Sequence, residues 1–160
     1  MDILIRPVMK EDTVKLDEFY VEFIRNEYKD FVPVEDINEL VNEYKNEGWY
    51  KNFVGKMFIA LDKNKNIIGL ATAKYFDDED SIIVSIDILS NEFEDKLRGR
   101  FLDKLTQEYL NIKEIFIEVC ENNFKETNFF ISRGFAIWET SPAPVGKKIV
   151  NVHLMQKVLP

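Results

Sequence analysis

Residues Ile82-Ile83-Val84-Ser85-Ile86-Asp87-Ile88-Leu89 form a nearly unbroken apolar run. The charged stretch Asn91-Glu92-Phe93-Glu94-Asp95-Lys96 follows, and then Leu97 to Leu110, a helix-like segment with Gly99 near its start. The run reads as a strand, with Ser85, Asp87 and Leu89 on one face and Val84, Ile86 and Ile88 on the other. A strand this apolar must sit in a sheet that other elements cover. Strand, turn and helix start in that order also make a natural anion site. The first N–H groups of a helix lack internal partners and lie at the positive end of its dipole.

The 160 residues suit a single domain, 1–160, that buries roughly 70% of the surface of the unfolded chain. A hydrophobic fraction of 46% is globular, and the longest apolar runs are strand-sized, too short to span a bilayer. The first residues lack the features of a secretion signal, and the one cysteine, Cys120, suits a reducing cytoplasm. With one histidine, His153, beside it, no zinc site is expected. A net charge of −8 argues against nucleic acid as partner. It is compatible with a cationic small molecule or a basic peptide, although simple solubility is the first reading of such a charge.

In order, Asp2 to Arg6 reads as a short strand stopped by Pro7. A helix then runs from Glu11 or Asp12 to Glu27, with Val14 (or Leu16), Phe19, Tyr20, Phe23, Ile24 and Tyr28 as its apolar stripe. A second fits Glu35 to Asn46 after Pro33, with Ile37, Leu40, Val41 and Tyr44 on one side and Gly48 ending it. Trp49, Tyr50 and Phe53 fall in a loop, as core plugs or as the wall of a groove. Lys56–Leu61 and Ile67–Phe76 make a hairpin, and Asp77-Asp78-Glu79-Asp80 is the acidic turn that leads into the apolar strand. Glu114–Cys120 reads as a strand, Asn122–Ser132 as a short helix closed by Gly134, Phe135–Glu139 as a strand, Ser141–Gly146 as a loop and Lys148–Val158 as a last strand. The order is β-α-α-β-β-β-α-β-α-β-β, a mixed α/β layer structure.

That order resembles the GCN5-related N-acetyltransferase (GNAT) superfamily over nearly the whole chain. Glu118-Val119-Cys120-Glu121-Asn122-Asn123 and Asn128-Phe129-Phe130-Ile131-Ser132-Arg133-Gly134-Phe135 look like the family's strand, Asn-containing helix start and "FYxxxGF" ending. Val152-His153-Leu154-Met155-Gln156-Lys157 looks like its last strand. The resemblance implies a central, mostly antiparallel sheet flanked by helices, with acetyl-CoA as cosubstrate. It further implies direct acetyl transfer to a primary amine of a small molecule or protein, and it is compatible with a homodimer.

The family binds acetyl-CoA through an Arg/Gln-x-x-Gly-x-Gly/Ala pattern at the turn before the third helix. Alignment on Phe93 and Leu102 gives Glu94-Asp95-Lys96-Leu97-Arg98-Gly99 here, so only the last glycine survives. Leu97 in place of a glycine is costly if its φ is positive. Glu94 in the Arg/Gln place removes a phosphate contact and adds repulsion. Together the changes amount to roughly 3–6 kcal/mol. Lys96, Arg98 and Arg100 could restore a phosphate contact, or could form a solvated, self-paired helix start with Glu92, Glu94 and Asp95. A second reading therefore stands beside the enzyme, that of the same fold kept as a binding or regulatory module.

For the chemistry, the resemblance makes the Leu89 N–H the donor to the thioester oxyanion and puts Phe130 where the family often has a Tyr general acid. Asp87 is the candidate base, with a raised pKa if buried, or else an Asp bonded to a nearby loop backbone. Asn123 matches the family's cofactor-binding Asn and also forms a capping box with Glu126. Cys120 reads as a core thiol before a nucleophile, and His153 as a packed histidine.

Overall fold

The computed structural model describes residues 2–89 and 92–160, apart from the side chains of Asn46, Glu47 and Trp49. Asn91 of the charged turn and the Trp49 ring therefore lie outside the described residues. The elements are β1 (Leu4–Pro7), α1 (Thr13–Tyr28), α2 (Val34–Glu47), β2 (Lys56–Leu61), β3 (Ile67–Phe76), β4 (Asp78–Ile88), α3 (Glu94–Gln107), β5 (Glu114–Cys120), α4 (Phe124–Ser132), β6 (Ala136–Val145) and β7 (Lys148–Val158). One seven-stranded sheet runs β1-β2-β3-β4-β5-β7-β6. Every neighbouring pair is antiparallel except β4 and β5, which are parallel.

Alternation along β4 divides the molecule. Ile82, Val84, Ile86 and Ile88 face one side, where Leu97, Phe101 and Leu105 of α3 and Phe130 of α4 complete the core. On the other face Leu16 and Phe19 of α1 pack on Ile59, Leu61, Ile67 and Leu70. Ile24, Ile37 and Val41 of α1 and α2 meet Val145 and Val150 at the β6–β7 end. Leu16 is buried at 1% exposure and Val14 is out at 68%, which resolves the start of the α1 stripe.

Three boundaries differ from the sequence pattern. The acidic turn is tighter than four residues: Asp77 takes the left-handed conformation (φ 62°), Phe76 pairs with Asp78, and β4 already begins there. Asp78 accepts hydrogen bonds from Asp80 N and Ser81 Oγ, which satisfies its carboxylate in place. The segment Ser141 to Val145 continues β6 where a loop was expected. β6 is an edge strand, and Pro142 and Pro144, two apart, both point their missing N–H to the same side, so an edge tolerates them. Finally, α3 begins at Glu94, three residues before Leu97, and ends at Gln107. Two acids in the first turn favour the early start through the helix dipole.

The arrangement that matters most for function is where β4 leaves β5. They pair over four rungs, from Ser81↔Glu114 to Val84↔Ile117. Beyond that β4 stays paired to β3 as far as Ile88, and β5 to β7 as far as Cys120. The strands diverge and a gap opens in the middle of the sheet.

Candidate active site at the β4–β5 gap

A cavity of about 520 Å³ lies over this gap, walled by α1, α2 and the two strands. Tyr20, Glu27, Asp87, Cys120 and Glu126 line it, and Phe53 closes one side as a wall. Tyr50 is elsewhere. Its hydroxyl donates to Asp17 Oδ1 at 2.6 Å, and its ring lines a separate cavity of about 680 Å³ beside β1 and β2. None of the candidate catalytic residues borders that larger cavity.

Asp87 stands on the cavity face of β4, as alternation requires. Burial, with the nearby charge of Glu27, pushes its carboxyl up to about 7, although Tyr20 and Ser85 donate hydrogen bonds that pull the other way. An acid that titrates near neutrality beside a cavity is suited to accept a proton.

The Leu89 N–H does not face the gap. It donates to Ile68 O at 3.0 Å, on the β3 side. Successive strand residues turn their amides to opposite edges, so the amides directed toward β5 are those of Ile86 and Ile88. The Leu89 amide that the sequence match implies is therefore committed to β3, and the gap-facing amides lie one residue to either side of Asp87. Nothing short of the pairing register could have shown this.

Asn123 is the N-cap of α4: its Oδ1 accepts from Glu126 N at 3.1 Å. Its Nδ2 also reaches Glu126 Oε2 at 2.8 Å and Glu27 Oε1 at 3.3 Å, so two acids converge on one amide from α4 and α1. Burial raises the Glu126 carboxyl to about 8, against the opposing pull of Arg98, and burial raises Glu27 as well. Because the cap and this bridge share one side chain, Asn123→Ala should lower stability by about 1–2 kcal/mol in urea denaturation, the range of a lost N-cap with a second contact. An unchanged midpoint would deny both roles.

The start of α3 is arranged differently from a phosphate loop. Leu97 is helical, its N–H bonded to Phe93 O at 2.8 Å, and fully buried, so no positive φ and no steric penalty arise. Arg98 is 2% exposed and turned inward, bonded to Glu94 at 2.6 Å and Asp95 at 2.8 Å, with its Nε 3.8 Å from Glu126. That guanidinium is engaged by carboxylates and is not presented to a ligand. Burial works to raise the Glu94 carboxyl, but hydrogen bonds from Arg98 and Lys125 outweigh it and hold it below its ordinary value. Lys96 and Arg100 are exposed on the side of α3 facing Ile3, where Arg100 donates to Ile3 O at 3.3 Å. Gly99 faces α4. A Cβ there would meet Arg133 Nη2 at 2.6 Å.

Phe130 is fully buried between Phe129 and Phe135, edge-on to both rings at 5.2 Å. Cys120 is half-buried at the cavity, its thiol pushed up by burial. His153 Nδ1 is 2.7 Å from Thr140 Oγ1 across the β6–β7 hairpin. Among the described residues no cluster of three metal-ligating side chains exists, and no helix is long and apolar enough to cross a membrane.

No protein-family model and no curated protein matches the sequence. The fold has clear counterparts among solved structures. PaiA N-acetyltransferase from Thermoplasma acidophilum in complex with coenzyme A aligns at a TM-score of 0.76 and 18% identity over 99% of this chain and 100% of that one. Spermidine N-acetyltransferase from Vibrio cholerae, in complex with CoA and spermine, aligns at 0.68 and 20% identity over 98% and 95%. The GNAT-superfamily phosphinothricin acetyltransferase from Sinorhizobium meliloti, in complex with AcCoA, aligns at 0.68 and 18% over 99% and 89%. With the parallel β4–β5 pair splayed inside an otherwise antiparallel sheet, the chain has the fold of the GNAT acetyltransferases from end to end.

Proposed function

We propose that the protein is an acetyl-CoA-dependent N-acetyltransferase that acts on a small cationic amine by direct attack. The observation that carries this reading is Asp87 at the floor of a cavity that opens onto the splayed strands. An extended acyl-thioester arm laid between β4 and β5 meets the Ile86 and Ile88 amides on one lip. The acceptor enters from the α1–α2 side, past Glu27, Glu126 and the ring of Tyr20, where a cation would favour the ionised form of the two carboxyls against the burial that raises them.

In the reaction the acceptor nitrogen, neutral after giving one proton to water, attacks the thioester carbonyl carbon, and the second proton it loses passes to the Asp87 carboxylate. The carbonyl oxygen takes up the negative charge and is held by the Ile86 or Ile88 N–H. The C–S bond then breaks. Phe130 offers the departing thiolate no proton, and a thiolate of pKa about 8.5 can leave without one. Asp87 returns its proton to water.

The objections that the altered motif raised against acetyl-CoA are smaller in three dimensions. Helical Leu97 carries no strain, and Glu94 is neutralised by Arg98 and Lys125 at 2.6 and 3.0 Å. What remains is one missing Arg contact to phosphate, roughly 1.5–3 kcal/mol, which a micromolar ligand survives. Calorimetry should therefore give acetyl-CoA a dissociation constant in the micromolar range. Absence of binding at millimolar ligand would leave the alternative of a binding or regulatory module on this fold.

A further inference from the structure

The surface between α3 and α4 holds a second departure from the expected anion site. Arg133 follows the last residue of α4, and its guanidinium lies against α3 at Gly99. An added Cβ at that glycine would come within 2.6 Å of Nη2, 3.3 Å of Cζ and 3.5 Å of Nη1. The same guanidinium stacks on the Phe129 ring at 5.0 Å. Gly99 thus serves as a notch and Phe129 as a shelf, and the two hold an exposed side chain in one place.

Like Lys96 and Arg100, Arg133 carries a charge with no salt bridge among the described residues, but those two lie on the Ile3 side of α3 and Arg133 on the α4 side. Of the cations around the α3 start, Arg98 is spent on Glu94 and Asp95, and Lys125 on Glu94. Arg133 makes no ion pair among the described residues. A guanidinium fixed by stacking and steric fit, but without a carboxylate, is ready for a bidentate contact with a phosphate.

Position selects which phosphate. Gly99 is the sixth residue of α3, about 7–8 Å along the axis from the first amide at 1.5 Å per residue. A pyrophosphate at the helix start would lie that far from Arg133, a span that the ribose carrying the 3′-phosphate could bridge. We propose that Arg133 binds the 3′-phosphate of CoA and makes the chain select CoA over its dephosphorylated form. This rests on the acetyl-CoA reading above and adds a specificity residue to it.

The test is calorimetry of CoA and 3′-dephospho-CoA against the wild type, Arg133→Gln and Arg133→Lys. The wild type should prefer CoA by about ten- to a hundredfold, the span of a charge-assisted contact to phosphate. Arg133→Gln should lose that preference by weakening CoA alone, and Arg133→Lys should keep part of it. Two results would overturn the inference while leaving acetyl-CoA binding intact: an equal affinity of the wild type for both ligands, or an unchanged preference in Arg133→Gln. Equal weakening of both ligands in Arg133→Gln would also overturn it, since Arg133 would then act on the shared part of the molecule. A wild type that binds neither ligand removes the acetyl-CoA reading itself.

Discussion

Asp87→Asn should abolish acetyl transfer and, at pH 8, make the protein more stable. Loss of a general base lowers the rate by about 10²–10⁴-fold, and acetyl-CoA affinity should be unchanged because the side chain faces the acceptor cavity. The stability change follows from linkage. The Asp87 carboxyl is raised from 3.8 to about 7 in the folded protein, principally by burial. Its folded pKa lies above its unfolded one, so its contribution is fully present below about pH 4 and is lost as pH rises through 7. At pH 8 the wild type holds a desolvated carboxylate and the amide variant does not. The gain should be roughly 2–4 kcal/mol, or on the order of 5–10 °C in melting temperature for a domain of this size. At pH 4 the two proteins should melt together. Wild-type kcat/KM should climb with pH through an inflection near 7, and the variant should lack that inflection. A variant that retains activity, or that melts below the wild type at pH 8, would remove Asp87 from the base role.

The second large effect belongs to Arg98. It is buried at 2% exposure among Glu94, Asp95 and Glu126, and its ring neighbour is Phe129 at 5.2 Å. Its Nε has no hydrogen-bond partner, so even the native arrangement is not fully satisfied. Arg98→Met keeps most of the volume but leaves the mostly buried Glu94 carboxylate with Lys125 as its one remaining ion-pair partner among the described residues, beside a Glu126 already raised to about 8. Removing one member of a buried ion pair costs about 3–5 kcal/mol. Denaturation at pH 7.5 should show that loss, and it should shrink at pH 5, where Glu94, no longer held low by Arg98, takes up a proton. Adding Glu94→Gln to Arg98→Met should recover part of it. A loss below about 1 kcal/mol at pH 7.5 would mean that the network carries little of the stability.

The fold was readable because its signals are local. Ile82–Leu89 announces a strand, Phe19, Ile24, Ile37 and Val41 recur at helical spacing, and Gly48 (φ 52°) and Gly134 (φ 91°) sit at helix ends where the left-handed region is needed. Asp87 could be singled out for the same reason, as a lone acid in an apolar strand. What escaped the sequence is what depends on register and burial. Leu89 was assigned an amide that points at β3, because a one-residue offset cannot be seen without the β3 partner. Arg98 read as a phosphate ligand or a self-paired surface cation, because two acids at i−3 and i−4 give no hint that it will be buried against Phe129 of α4. Leu97 carried a backbone penalty that belongs to a loop, whereas the helix begins earlier. Arg133 went unnoticed since its significance depends on Gly99, 34 positions away in the chain.

The four parallel rungs between β4 and β5 also bear on how the molecule moves. Among the described residues they are the strand pairing that joins two antiparallel blocks, β1 to β4 and β5 to β7. Parallel pairing is slightly weaker per residue, and this pair must close across the whole α3 connection. The seam is therefore where opening of the sheet should need the least free energy. A donor lying along both lips of the gap would splint the blocks together, and the product's departure would release them. On this view the molecule breathes once per turnover, about a hinge the length of four residue pairs.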